Sequence, residues 1–172
     1  MIKGRIVEHS GAQKSTMEST LKFVGEFAHT LDPKGRIIVP SKYRDSLGAK
    51  VYLVKSWEKE CIYILPQNEW ERIMKEYLEN ISPFDEEGQE FRRSLASDVE
   101  DSEMDKQGRI FIPQKLRTHA GIESAVTILG VLNRLELWDT EKWRKQKEGK
   151  PFKQLARQVE NRFSAAHTGT SR

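Results

Sequence analysis

One nine-residue pattern occurs twice in this 172-residue chain, and it constrains the fold more than any other feature. Asp32-Pro33-Lys34-Gly35-Arg36-Ile37-Ile38-Val39-Pro40 is answered by Asp105-Lys106-Gln107-Gly108-Arg109-Ile110-Phe111-Ile112-Pro113, 73 positions on. At the same offset Lys42 meets Lys115, Arg44 meets Arg117, Gly48 meets Gly121 and Trp70 meets Trp143. Ordinary residue usage puts D-x-x-G-R-x-x-x-P at roughly 1 in 10⁵ per start position. Two copies therefore mean an internal duplication.

Each copy predicts its own local structure. Asp32-Pro33-Lys34-Gly35 suits a type I turn, with Asp first, Pro second and Gly fourth. The Asp carboxylate can accept hydrogen bonds from the turn amides. Ile37-Ile38-Val39 reads as a strand, and Pro40 ends it. Ser41 to Leu47 reads as a short helix with Tyr43 and Leu47 on one face, stopped by Gly48. The second copy repeats the series with strand Ile110–Ile112, apolar pair Leu116 and Ala120, and stop Gly121. Two strands follow in each copy: Val51–Val54 with Cys61–Leu65, and Ala125–Leu129 with Leu135–Trp138. Each copy closes with a helix containing its Trp. In the first, Trp70, Ile73, Met74, Tyr77, Leu78 and Ile81 form one apolar stripe. An acidic helix from about Asp85 to Leu95 is expected to join the copies. Each repeat is about fifty residues, too short to bury much alone. The two are expected to fold into one α+β unit around a pseudo-two-fold axis.

Composition narrows the function classes. Hydrophobic residues make up 37% of the chain, enough for a core. No apolar run reaches the ~18 residues of a membrane span. Residues 1–22 carry no continuous apolar stretch and are expected to be mostly disordered. The single cysteine, Cys61, excludes an internal disulfide and a Cys-cluster zinc site, which fits a reducing cytoplasm. Cys61 lies in the apolar run Cys-Ile-Tyr-Ile-Leu and reads as a small core hydrophobe rather than a nucleophile. His9, His29, His119 and His167 show no metal-ligand spacing, and no glycine loop matches a phosphate-binding pattern. Neither enzyme activity nor a cofactor or metal is expected.

The basic turns stand apart. Residues 33–44 carry Lys34, Arg36, Lys42 and Arg44 with no acid among them. Residues 106–117 carry Lys106, Arg109, Lys115 and Arg117, again with none. Arg can fork onto a phosphate or a guanine edge. Asp32 and Asp105 also sit where they could pair with Arg36 and Arg109 simply to hold each turn. Residues 81–100, by contrast, hold six acids against two bases, and residues 146–172 hold six bases against two acids.

Phe23-x-Gly25-Glu26, His29-Thr30-Leu31-Asp32-x-Lys34-Gly35-Arg36 and Pro40, followed by Met104-Asp105-x-Gln107-Gly108-Arg109, Pro113 and Ala120-Gly121, resemble the MraZ family. The resemblance covers roughly residues 23–147. It implies a duplicated AbrB-like fold of swapped-hairpin β-barrel halves with flanking helices. The boundaries it suggests are an extension over 1–22, repeats over 23–81 and 97–148, a linker helix over 82–96, and a basic helix and tail over 149–172. It further implies a bacterial, cytoplasmic and nucleoid-associated regulator, assembled as a ring-shaped homo-oligomer. Such regulators bind direct repeats of double-stranded promoter DNA ahead of the division and cell-wall gene cluster, with no membrane or small-molecule substrate as partner. Carried onto this chain, the DNA-binding set is Lys34, Gly35, Arg36, Lys42, Arg44, Lys106, Gln107, Arg109, Lys115 and Arg117, with Arg36 and Lys34 foremost. Asp32 and Asp105 are the turn-stabilising residues.

One rival comes from a different class. Phe152, Leu155, Ala156, Val159 and Phe163 fall at helical spacing beside Lys153, Arg157 and Arg162. Such a basic amphipathic helix could serve an assembly scaffold or lie on a membrane surface, although packing on its own protein is the simpler expectation.

Overall fold

A computed structural model describes residues 22–168 of the chain. The expectation for the N-terminal extension thus falls, apart from Lys22, outside the described residues. The chain divides into two units, one ending at Asp139 and one beginning at Thr140.

In the first unit the repeat is visible element by element. The first half supplies β1 (Phe23–Thr30), β2 (Arg36–Ile38), α1 (Ser41–Leu47), β3 (Lys50–Lys55), β4 (Ile62–Pro66) and α2 (Gln67–Ile73). The second half begins after α3 (Glu86–Asp98). It supplies β5 (Glu100–Glu103), β6 (Arg109–Phe111), α4 (Gln114–Ala120), β7 (Ala125–Leu132) and β8 (Arg134–Asp139). Strands β2 and β6, and helices α1 and α4, are related by the 73-residue offset at both ends.

The halves do not build separate sheets. One six-stranded antiparallel sheet runs β1-β7-β8-β4-β3-β5, and β2 pairs with β6 in a second, two-stranded ribbon. The order is the same from either edge: a first strand, then the other half's third and fourth strands. Each half thus gives its first strand to its partner: β1 pairs with β7, and β5 with β3. The halves meet where β4 pairs with β8.

This exchange explains why one core serves both copies. Many of its members come in offset pairs: Ile37 and Ile110, Val39 and Ile112, Tyr43 and Leu116, Leu47 and Ala120, Ile62 and Leu135, Ile64 and Leu137. All are at most 1% exposed, so neither half has a core it could keep if the other left.

Three elements differ from the sequence expectation. The strands β1 and β5 went unread. Glu100-Asp101-Ser102-Glu103 has no apolar residue at all, yet it forms an edge strand. It does so because β3 offers it a free row of backbone groups, and Lys50 of β3 pairs with Asp101 at 3.2 Å. The Trp70 helix is also shorter than its stripe. After Ile73 the backbone widens into a π turn over Met74–Leu78, with the Glu79 amide donating to the Met74 carbonyl at 2.9 Å. That extra residue shifts the phase. Leu78 stays buried while Tyr77 turns out, 61% exposed.

The second unit consists of α5 (Thr140–Gly149) and α6 (Phe152–Thr168). In α5, Arg144 bridges Glu141 and Glu148. Pro151 separates the two helices, and its carbonyl accepts the Gln154 and Leu155 amides of α6.

Candidate nucleic-acid interface

Each basic turn is held by its own aspartate. Asp32 Oδ1 accepts the amides of Lys34 and Arg36, both at 2.9 Å, and Asp32 Oδ2 accepts Arg36 Nε at 2.7 Å. The Gly35 amide closes the turn onto the Asp32 carbonyl at 2.9 Å. Asp105 treats Gln107, Arg109 and Gly108 the same way, with matching distances of 2.9, 2.9, 2.7 and 2.9 Å. Gly35 and Gly108 sit at φ 76° and 78°, a region that L side chains rarely enter. Both carboxyls are held below the ordinary aspartate value, first by the backbone amide of the clamped arginine and then by its guanidinium. The D-x-x-x-R motif is thus a structural clamp at both sites. Its side-chain hydrogen bond is made by Nε of Arg36 and of Arg109.

The halves then interlock the turns. The Val39 amide donates to the Gly108 carbonyl at 2.8 Å, and the Ile112 amide to the Gly35 carbonyl at 2.9 Å. Arg44 anchors its Nε on its own Val39 carbonyl at 2.9 Å, and Arg117 does the same on Ile112 at 3.0 Å. Their guanidiniums lie on the turn glycine of the other half. A Cβ on Gly108 would come within 2.2 Å of Arg44 Cζ, and one on Gly35 within 3.2 Å of Arg117 Cζ. The positive φ favours glycine at both turns, and at Gly108 a side chain would also displace the Arg44 guanidinium. The two motifs, 73 residues apart in sequence, become one surface at the two ends of the β2–β6 ribbon. The turns and the helices behind them contribute six cations, Lys34, Arg36, Arg44, Lys106, Arg109 and Arg117, of which Arg36 and Arg109 pair with Asp32 and Asp105.

The remaining two lysines are held elsewhere. Lys42 Nζ donates to the Val24 carbonyl at 2.8 Å and lies over the rings of Phe27 and Tyr43. Lys115 Nζ donates to the Ser97 carbonyl at 3.0 Å and pairs with Glu100 at 2.6 Å. Both secure the chain around a first strand. Lys34, Lys106 and Gln107, by contrast, are exposed at the turn tips. The exchange of Arg44 and Arg117 between halves is the part of the site that the motif alone did not show. Cys61, for its part, lies buried immediately before β4. Burial first, then the nearby Glu136 charge, pushes its thiol up to about 12, so it stays protonated and unreactive at neutral pH.

Fold and turns together define a duplicated α+β protein whose halves jointly build one cationic ribbon. The model of the MraZ family, described as "MraZ protein, putative antitoxin-like", matches this chain twice, over residues 23–93 and 96–165. The chain is 44% identical over 126 residues to the transcriptional regulator MraZ of Clostridium beijerinckii, covering 73% of this chain and 87% of that one. It is 44% identical over 122 residues to the protein of that name from Limosilactobacillus reuteri, covering 71% and 84%. To that of Natranaerobius thermophilus it is 37% identical over 139 residues, covering 80% and 96%. The chain belongs to the MraZ family.

Proposed function

We propose that this protein is a transcriptional regulator that binds double-stranded promoter DNA through the ribbon and its two clamped turns. The observation that carries the reading is the interlocking of the turns. Each turn is bonded to the other half, and the Asp clamps fix the backbone before any ligand arrives. Little ordering entropy is then lost on binding. The relatives' shared name points to transcription, and the exchanged strands fit an AbrB-like swapped-hairpin fold. In this reading Lys34, Lys106 and the turn amides of Gly35 and Gly108 position phosphates. Arg36, Arg109 and Gln107 face base edges with their free donors. Arg44 and Arg117 add charge while holding the turns, and Lys42 and Lys115 support them from behind.

One ribbon offers only a handful of phosphate contacts. Several copies in a ring would bind successive direct repeats as linked events, each after the first at high effective concentration. The same reading places the protein on the nucleoid, acting ahead of the division and cell-wall gene cluster.

The test is fluorescence anisotropy of the purified full chain on labelled DNA from its own upstream region, beside a scrambled duplex and a salt series. Tight binding that beats the scramble and falls steeply with salt is the expected result. Equal weak binding to both would contradict it.

A second reading rests on α6. Phe152 is 84% exposed, and Leu155 and Val159 are 39% and 47% exposed on the same helix as Lys153, Arg157 and Arg162. A scaffold or membrane-surface role would use this helix. Deleting residues 150–172 separates the readings: the regulator keeps DNA binding, whereas a scaffold loses its function.

A further inference from the structure

We infer that the outer face of the β2–β6 ribbon reads thymine methyl groups in the DNA major groove through Ile38 and Phe111. The inference rests on the DNA-binding reading above and specifies what that site recognises.

Strand alternation divides the ribbon into two faces. Ile37 and Ile110 point inward, 1% and 0% exposed. Arg36 and Ile38 of β2 and Arg109 and Phe111 of β6 share the other face. The antiparallel register sets Arg36 opposite Phe111 and Ile38 opposite Arg109. Ile38 and Phe111 occupy the same place in the duplication, 73 residues apart, and both are 49% exposed. Their exposure leaves half of each side chain outside the core. A charged or polar residue would be the ordinary choice at such positions beside two arginines.

The surroundings select the occupant. Each apolar side chain lies directly across from an arginine and is bracketed by a cationic turn. The two carboxylates nearby are already engaged by Arg36 and Arg109. An apolar pair framed by positive charge complements an anionic duplex rather than a second copy of this equally cationic face. The major groove admits a two-stranded ribbon, and the thymine C5-methyl is its apolar feature. Arginines on the same face would meet guanine edges or phosphates beside it.

The experiment compares two duplexes of the protein's own upstream region, one with thymidine and one with every thymidine replaced by deoxyuridine, which removes only the methyls. Wild-type full-length protein should bind the uracil duplex about 3- to 10-fold more weakly, while a scrambled duplex shows no such difference. Ile38→Ala/Phe111→Ala should bind thymine and uracil duplexes equally and keep its salt dependence. Circular dichroism checks its fold, and light scattering checks its mass. Ile38→Ala alone should lose part of the discrimination, which guards against a misfolded double variant. If wild type prefers its upstream DNA yet ignores the methyls, the inference fails and the regulator reading stands. If it shows no preference over the scramble, the regulator reading itself fails, and this inference with it. A smaller assembly mass for the double variant would assign the face to contacts between copies and overturn the inference.

Discussion

The two halves clamp their turns identically and share only part of what secures their first strands. Asp32 and Asp105 make the same four bonds at matching distances. Behind the turns one bond is still shared, Lys42 to the Val24 carbonyl and its counterpart Lys115 to the Ser97 carbonyl, and the rest differs. In the first half Tyr43 is buried, with its hydroxyl donating to the Val24 carbonyl at 2.5 Å and its ring edge-on to Phe23 and Phe27. Its counterpart in the second half is Leu116, which has no polar atom. There Lys115 adds an ion pair to Glu100 that Lys42 does not make. β1 runs eight residues and β5 four. Geometry is thus retained where the halves touch one shared surface. It has drifted where each holds its own exchanged strand, since any device that keeps the strand in place suffices.

The comparison breaks most visibly at Tyr43. Tyr43→Ala removes a buried aromatic and should cost about 3–5 kcal/mol, read from the urea midpoint. Amide exchange should accelerate across Val24–Ala28 and much less across Glu100–Glu103. Equal acceleration in both strands would show that they are not held independently. Tyr43→Phe isolates the hydroxyl and should cost about 0.5–1.5 kcal/mol. Lys115→Met removes an exposed pair and should cost only about 0.2–1 kcal/mol, a difference that shrinks in high salt. If it costs more than Tyr43→Phe, the ranking of the two devices is reversed.

The clamps should show the smallest effect and the most equal one. Both aspartates have folded-state values below the unfolded value of ~3.9. Their contribution is therefore fully present above that value and is lost as pH falls through the folded one. An NMR titration should show the Lys34, Arg36, Gln107 and Arg109 amides shifting together below about pH 4. A turn that shifts well above pH 4 would not be clamped as described.

Much of this was legible before any coordinates. The duplication, α1 and α4, strands β2 to β4 and β6 to β8, and the aspartate's place in the turn all follow from local chemistry repeated at one offset. Other features were hidden because they depend on partners distant in sequence. Nothing in Glu100-Asp101-Ser102-Glu103 says strand until β3 is beside it. Likewise, nothing local to Arg44 says that its guanidinium will rest on Gly108. Helical spacing puts Tyr77 in an apolar stripe because it assumes an unbroken α-helix, and the π turn after Ile73 resets that count.

The central claim is that both turns form one DNA-binding surface. Its most direct test is the salt slope of binding to upstream DNA for Lys34→Ala, Lys106→Ala and the double variant. Each exposed lysine that neutralises a phosphate should lower the slope by about 1, and the double variant by about 2. A slope that responds to one turn and ignores the other would contradict the account.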